Sequence, residues 1–142
     1  MKFVKHVLDK KGRHIISVAP DASVLEAIKL MAEKGIGALV VMEDDKLLGI
    51  ISERDYARKV IIKGRSSQST RVAEIMTPDV LTTTSDRTVN ECMNVMTEKK
   101  IRHLPVVEEA TVIGVISIGD LVEAIISDQQ EAIEQLEQYI SG

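Results

Sequence analysis

Apolar positions along this chain follow two alternating periods. Val24, Ala27, Ile28 and Met31 fall at i, i+3, i+4 and i+7, and Val89, Cys92, Met93 and Met96 do the same. Each stretch predicts a helix with one apolar stripe turned inward. Ser23 with Glu26, and Thr88 with Glu91, are spaced as capping boxes, so both helices carry a start signal. Gly35 supplies a stop for the first, and Lys99 with Lys100 suits the C-terminal dipole of the second. The pattern then shortens to apolar runs rich in β-branched residues, GALVVM (37–42) and HLPVV (103–107). Acidic turn residues and a second apolar run follow each, which predicts two buried strands per stretch. Pro105 lacks an amide donor and belongs near the start or edge of its strand.

Around these lie weaker signals. Residues 14–18 and 79–83 read as short extended segments, and 72–76 as a turn of helix. Second helices are expected at 56–63 and 121–127, after Ser52-x-x-Asp55 and Ser117-x-x-Asp120. Ala132, Ile133, Leu136, Tyr139 and Ile140 predict a further, C-terminal amphipathic helix.

The two sets of elements are copies. Shifted by 65 residues, 15–56 aligns with 80–121 without a gap, and 14 of 42 positions are identical, which chance does not supply. The most telling match is LLGIISERD (47–55) against VIGVISIGD (112–120), an apolar strand running into Ser-x-x-Asp twice. Two copies are too few for a solenoid, so two similar units burying apolar faces about a pseudo-twofold axis are expected. The polar connector KGRSSQST (63–70) puts the boundary near 71, giving repeats over 1–71 and 72–142.

Composition narrows the class. At 142 residues, 44% hydrophobic with one Phe, two Tyr and no Trp, the chain suits one globular body with an aliphatic core. The single Cys92 excludes an intramolecular disulfide and sits on an apolar helix face, where a core role is expected. Residues 1–71 hold 14 Lys/Arg against 9 Asp/Glu, while 72–142 hold 4 against 13. The halves thus carry +5 and −9, and their attraction can assist pairing within or between chains. An acidic chain without aromatics interleaved in a basic stripe excludes nucleic acid. The charged N-terminus and the lack of a long apolar run exclude a signal peptide and a membrane span, so a cytoplasmic protein is expected. His6, His14 and His103 are scattered, and the chain lacks a zinc-helix motif and a phosphate loop, so an enzyme is not expected.

VAPDASVLEAIKLMAEKGIGALVVMEDDKLLGIISERD and its copy MTEKKIRHLPVVEEATVIGVISIGD resemble the tandem CBS-domain pair, or Bateman module, over nearly the whole chain. The resemblance implies an α/β fold of two β-α-β-β-α repeats packed through their sheets. It further implies a homodimer and inter-repeat clefts binding an adenine nucleotide, AMP, ADP, ATP or NAD, with S-adenosylmethionine ranked behind them. Members often regulate a partner protein, so a stand-alone sensor acting on an unknown protein target is expected. A scaffold of the same fold without a ligand is the alternative.

Asp55 and Asp120 are the candidate ribose acceptors, since one carboxylate meets both hydroxyls of a vicinal diol. Ser52 and Ser117 offer hydroxyls to sugar or phosphate, though Ser with a carboxylate three residues on is also a helix cap. Arg54 beside Asp55, where the copy has Gly119, marks the Asp55 cleft as the better phosphate site. By the resemblance each cleft is completed by the other repeat. Thr77, Leu81, Ile101, Arg102 and His103 then serve Asp55, and Ile16, Ile36 and Ala38 serve Asp120. Arg102 and His103 are candidate phosphate contacts, and Lys2 and Lys5 lie where a terminal segment can reach one. Gly49 and Gly114 allow a close approach to a nucleotide or mark a plain bulge.

Overall fold

The computed structural model describes residues 2–141. In chain order the elements are α1 (Val4–Lys11), β1 (Ser17–Val18), α2 (Val24–Lys34), β2 (Ala38–Glu43), β3 (Lys46–Ser52) and α3 (Glu53–Tyr56). A π-helical turn follows over Ala57–Ile61. Then come α4 (Val72–Ile75), β4 (Thr77–Pro78), α5 (Val89–Lys99), β5 (His103–Glu108), β6 (Thr111–Ser117) and α6 (Ile118–Ser141).

The chain forms two compact units, Ile15–Leu81, and Met1–His14 with Thr82–Gly142. In the first, β1-β2-β3-β4 form one sheet, with β1 parallel to β2 and the other pairs antiparallel. In the second, β5 and β6 form the antiparallel pair, and the counterpart of β1 is reduced to one parallel bridge between Thr83 and Val106. Pro105 lies inside β5, not at its start. Its carbonyl accepts the Thr83 amide at 2.9 Å, so its ring nitrogen also faces that single bridge, where no ladder bond is lost.

Both helices start where the spacing predicts, α2 on Ser23 as a simple cap and α5 on Thr88 with Glu91 as a full capping box. Ser23 Oγ accepts the Glu26 amide, and Thr88 Oγ1 the Glu91 amide, each at 3.1 Å. Gly35 closes α2 at φ +66°, and Lys100 adopts the same left-handed conformation after α5 at φ +56°. Both hairpins turn on two residues of positive φ, Asp44 and Asp45 in one and Glu109 and Ala110 in the other, the twist that matches antiparallel strands.

Three elements differ from expectation. The helix expected at 56–63 begins at Glu53, because Ser52 itself is the cap, and it continues as a π turn. The two helices expected after Ser117 are one continuous helix, since nothing in 127–132 breaks it. The N-terminal segment is a helix: Val4, Val7 and Leu8 supply a buried stripe too short to stand out among its charges.

That helix has a counterpart. The Val4 amide donates to the Arg87 carbonyl as the Val72 amide does to that of Ala22, the residue 65 positions before Arg87, so Val4 corresponds to Val72 and α1 to α4. Val72 and Ile75 pack into the core of the first unit with Val24, Met31, Leu39, Val41 and Ile51. Val4, Val7 and Leu8 pack into that of the second with Val89, Cys92, Met96, Leu104, Val106 and Ile116. Cys92 is the buried core residue expected, its sulfur 3.3 Å from Thr83 Oγ1 and its thiol pushed up by burial. The opposite charges of the two sequence halves meet here. Lys2 pairs with Asp128 and Glu131, Lys10 with Glu123 and Lys11 with Asp120, and these ion pairs hold α1 on α6.

Candidate functional site

Each Ser-x-x-Asp stands where the last strand of its repeat enters a helix, and in both copies it is a working cap. Ser52 Oγ accepts the Asp55 amide at 3.2 Å, and Asp55 Oδ2 accepts the Ser52 amide at 2.9 Å and its hydroxyl at 3.1 Å. Lys59, one turn on, lies 3.1 Å from Asp55 Oδ1. In the copy, Ser117 Oγ accepts the Asp120 amide at 3.1 Å and Asp120 Oδ2 accepts the Ser117 amide at 2.8 Å. Lys11 Nζ donates to the same Oδ2 at 2.7 Å and to the Val115 carbonyl at 2.8 Å. A carboxylate offers about four lone-pair sites. The capping bonds fall on Oδ2 in both copies, so Oδ1 keeps acceptor capacity while each helix start stays formed.

Electrostatics separates the two. Burial alone would raise the Asp120 carboxyl, but the Lys11 and Ser117 hydrogen bonds with the Lys11 charge hold it below the usual carboxylate range. It is an anion at neutral pH. Burial, aided by the Lys11 charge, pushes His103 below the usual imidazole range against the opposing pull of Asp120. At neutral pH His103 is therefore a neutral hydrogen-bonding group, not the cation a phosphate contact calls for.

The strand starts lie beside the Ser-x-x-Asp of their own repeats. Ala38 is opposite Ser52 and His103 opposite Ser117. The Gly37 carbonyl accepts the Glu53 amide, and the Arg102 carbonyl accepts the Ile118 amide. Strand register brings Arg102 and His103 to Asp120, and Ala38 to Asp55. Ile16 and Ile36 pack on the core of the first unit and Ile101 on that of the second. Thr77 pairs with Ile50 in the β3–β4 ladder, and Leu81 is exposed after it. Arg54 is exposed on the first turn of α3, and the cation that reaches Asp55 is Lys59.

Beside Asp120 the second unit has an open cleft of about 300 Å³ lined by Lys2, His6, Val7, Lys10, Lys11, Asp120, Glu123, Ala124 and Ser127. Sequence reasoning singled out Lys2 and Asp120 here but missed His6, Lys10 and Lys11. Their i, i+4 and i+5 spacing on a short helix was the available signal. The glycines serve the protein itself. A Cβ on Gly49 would lie 2.7 Å from the Thr77 carbonyl oxygen, and one on Gly114 2.6 Å from Leu8 Cδ2, so the room expected for a nucleotide is taken by β4 and by α1.

The family model for the CBS domain matches residues 4–62 and 72–127. The chain therefore belongs to the CBS-domain family, and it is a CBS-domain pair. It is 44% identical over 148 residues to the Arabidopsis thaliana CBS domain-containing protein CBSX3, mitochondrial, covering 98% of this chain and 72% of that one. A solved structure of a protein with CBS domains from Burkholderia ambifaria superposes with a TM-score of 0.87 at 50% identity, over 90% of this chain and 96% of that one. A CBS-domain pair solved with 5′-methylthioadenosine and S-adenosyl-L-methionine superposes at 0.80 with 26% identity, over 90% and 98%. Among the described residues, no helix is long and apolar enough to cross a membrane.

Proposed function

We propose that this chain is a regulatory, non-enzymatic module that binds an adenosine-containing ligand, AMP, ADP, ATP or NAD, through its duplicated Ser-x-x-Asp. The ligand alters a protein target by favouring one of two arrangements of the chain. Asp55 and Asp120 accept the ribose hydroxyls through Oδ1, with Ser52 and Ser117 holding each carboxylate in place. The observation that carries this reading is Asp120 on the wall of a cleft whose lining includes three Lys and a His. That setting suits a sugar carrying phosphate and supports a phosphate beside Asp120 over one beside Asp55, the reverse of the preference drawn from Arg54. The pair solved with two adenosine compounds supports the ligand class. A homodimer in the cytoplasm belongs to the same proposal, although the Arabidopsis relative is named mitochondrial.

Both capping boxes are complete without a ligand, and this favours the second reading, a scaffold of CBS fold. Isothermal titration of the full chain with AMP, ATP, NAD and S-adenosylmethionine separates the two. Saturable heat with one of the nucleotides is expected, and no heat with any of them at millimolar concentration overturns the ligand reading.

A further inference from the structure

Beyond Glu131, which pairs with Lys2, the last part of α6 lies outside the core of its unit. Every residue from 129 to 141 is exposed. That length is marginal for an isolated helix, since those shorter than roughly 12–15 residues are barely stable in water. Glu134 and Glu137 lie in its last turns with no Lys or Arg to offset the C-terminal dipole.

The exposed apolar residues nevertheless form a regular seam. Val122, Ile126, Gln129, Ile133, Leu136 and Ile140 alternate spacings of four and three, the a/d pattern of a coiled coil. Val122, Ile126, Ile133, Leu136 and Ile140 are 43%, 59%, 48%, 61% and 82% exposed, and Tyr139 beside them 87%. Lys2 and Lys11 bind Glu131 and Asp120 on the far side of α6 and Lys10 binds Glu123 at the flank of the seam, so α1 leaves the apolar seam residues exposed.

We propose that this seam pairs in parallel with the α6 of a second copy. Ile occupies the a positions 126, 133 and 140, and Val, Gln and Leu the d positions 122, 129 and 136; β-branched residues at a with Leu136 at d favour two strands. Charge sets the direction. Glu123 and Glu137 stand at e, while the g positions are Ile118, Ile125, Ala132 and Tyr139. Parallel strands set e against an uncharged g, whereas antiparallel strands would set Glu against Glu. Covering the six exposed side chains removes roughly 600 Å² per copy, of the order of the ~800 Å² per partner in a standard interface. The inference goes beyond the ligand reading and stands without it.

Disulfide trapping in the full chain tests it, because Cys92 is buried and leaves the engineered thiol unambiguous. Two parallel strands bring d positions into disulfide reach, while f positions lie on the outside. Leu136→Cys is expected to form a covalent dimer under mild oxidation at micromolar concentration, and Gln138→Cys, at f, to stay unlinked. Absence of a bond at 136, as a basic partner protein, a lipid surface or an antiparallel pair would leave it, overturns the proposal. Equal linking at 136 and 138 also overturns it. As a second readout, Ile133→Asp should lower helical ellipticity at 222 nm and sedimentation mass together. Unchanged values of both contradict the seam.

Discussion

Lys11 and Asp120 lie 109 positions apart in sequence, and a 2.7 Å ion pair joins them. It ties the helix that opens the chain to the carboxylate that starts its last helix. Lys11 is 39% and Asp120 22% exposed, so the pair is partly screened and contributes about 0.5 kcal/mol.

The pH dependence of that contribution has a definite sign. Because the folded Asp120 carboxyl is held below its ordinary value, its stabilisation is complete above the unfolded value of about 3.9 and is lost as pH falls through the folded value. Lys11→Met should therefore be less stable than the parent in urea at pH 7, and the gap should narrow toward pH 3. A gap of the same size at both pH values contradicts the assignment.

Gly49 and Gly114 occupy equivalent positions but meet different neighbours, a backbone carbonyl and a leucine side chain. Both Ala variants should lose about 1–3 kcal/mol by overpacking. Only Gly114→Ala should recover when its neighbour is shortened, as Leu8→Val, with a coupling of at least about 0.5 kcal/mol. Gly49→Ala with Met76→Ala should not recover, because the Thr77 carbonyl remains. Urea midpoints of the double-mutant cycles decide this.

Ala110 holds φ at +63° in the second hairpin, where the first has Asp45 at +64°. A left-handed Ala costs roughly 1–2 kcal/mol, and Asp tolerates that region better through its short polar side chain. Ala110→Gly should raise stability by about 1 kcal/mol with an unchanged urea slope, and Asp45→Gly by less. An equal gain at both positions contradicts this explanation.

The repeats, the capped α2 and α5, the two hairpins and the caps at Ser52 and Ser117 could be read from sequence because each rests on residues within a few positions of one another. What could not be read depends on contacts between distant segments. Val4, Val7 and Leu8 form a legible helix only once the β5–β6 core they fill is known. Lys10 and Lys11 become part of a site only when α1 lies on α6. Gly114 looked like room for a ligand because Leu8, which fills it, comes from the other end of the chain.

The central claim, that Asp55 and Asp120 accept ribose hydroxyls, is tested most directly by comparing AMP and ATP with their 2′-deoxy counterparts by titration calorimetry. The parent and the Asp55→Asn and Asp120→Asn variants are each titrated. A hydrogen bond to a charged group is worth about 1.5–3 kcal/mol. The account predicts that the parent binds the deoxy form at least about tenfold more weakly, and that this penalty disappears in the variant whose site is occupied. Equal affinity of the parent for the ribose and deoxyribose forms would contradict it.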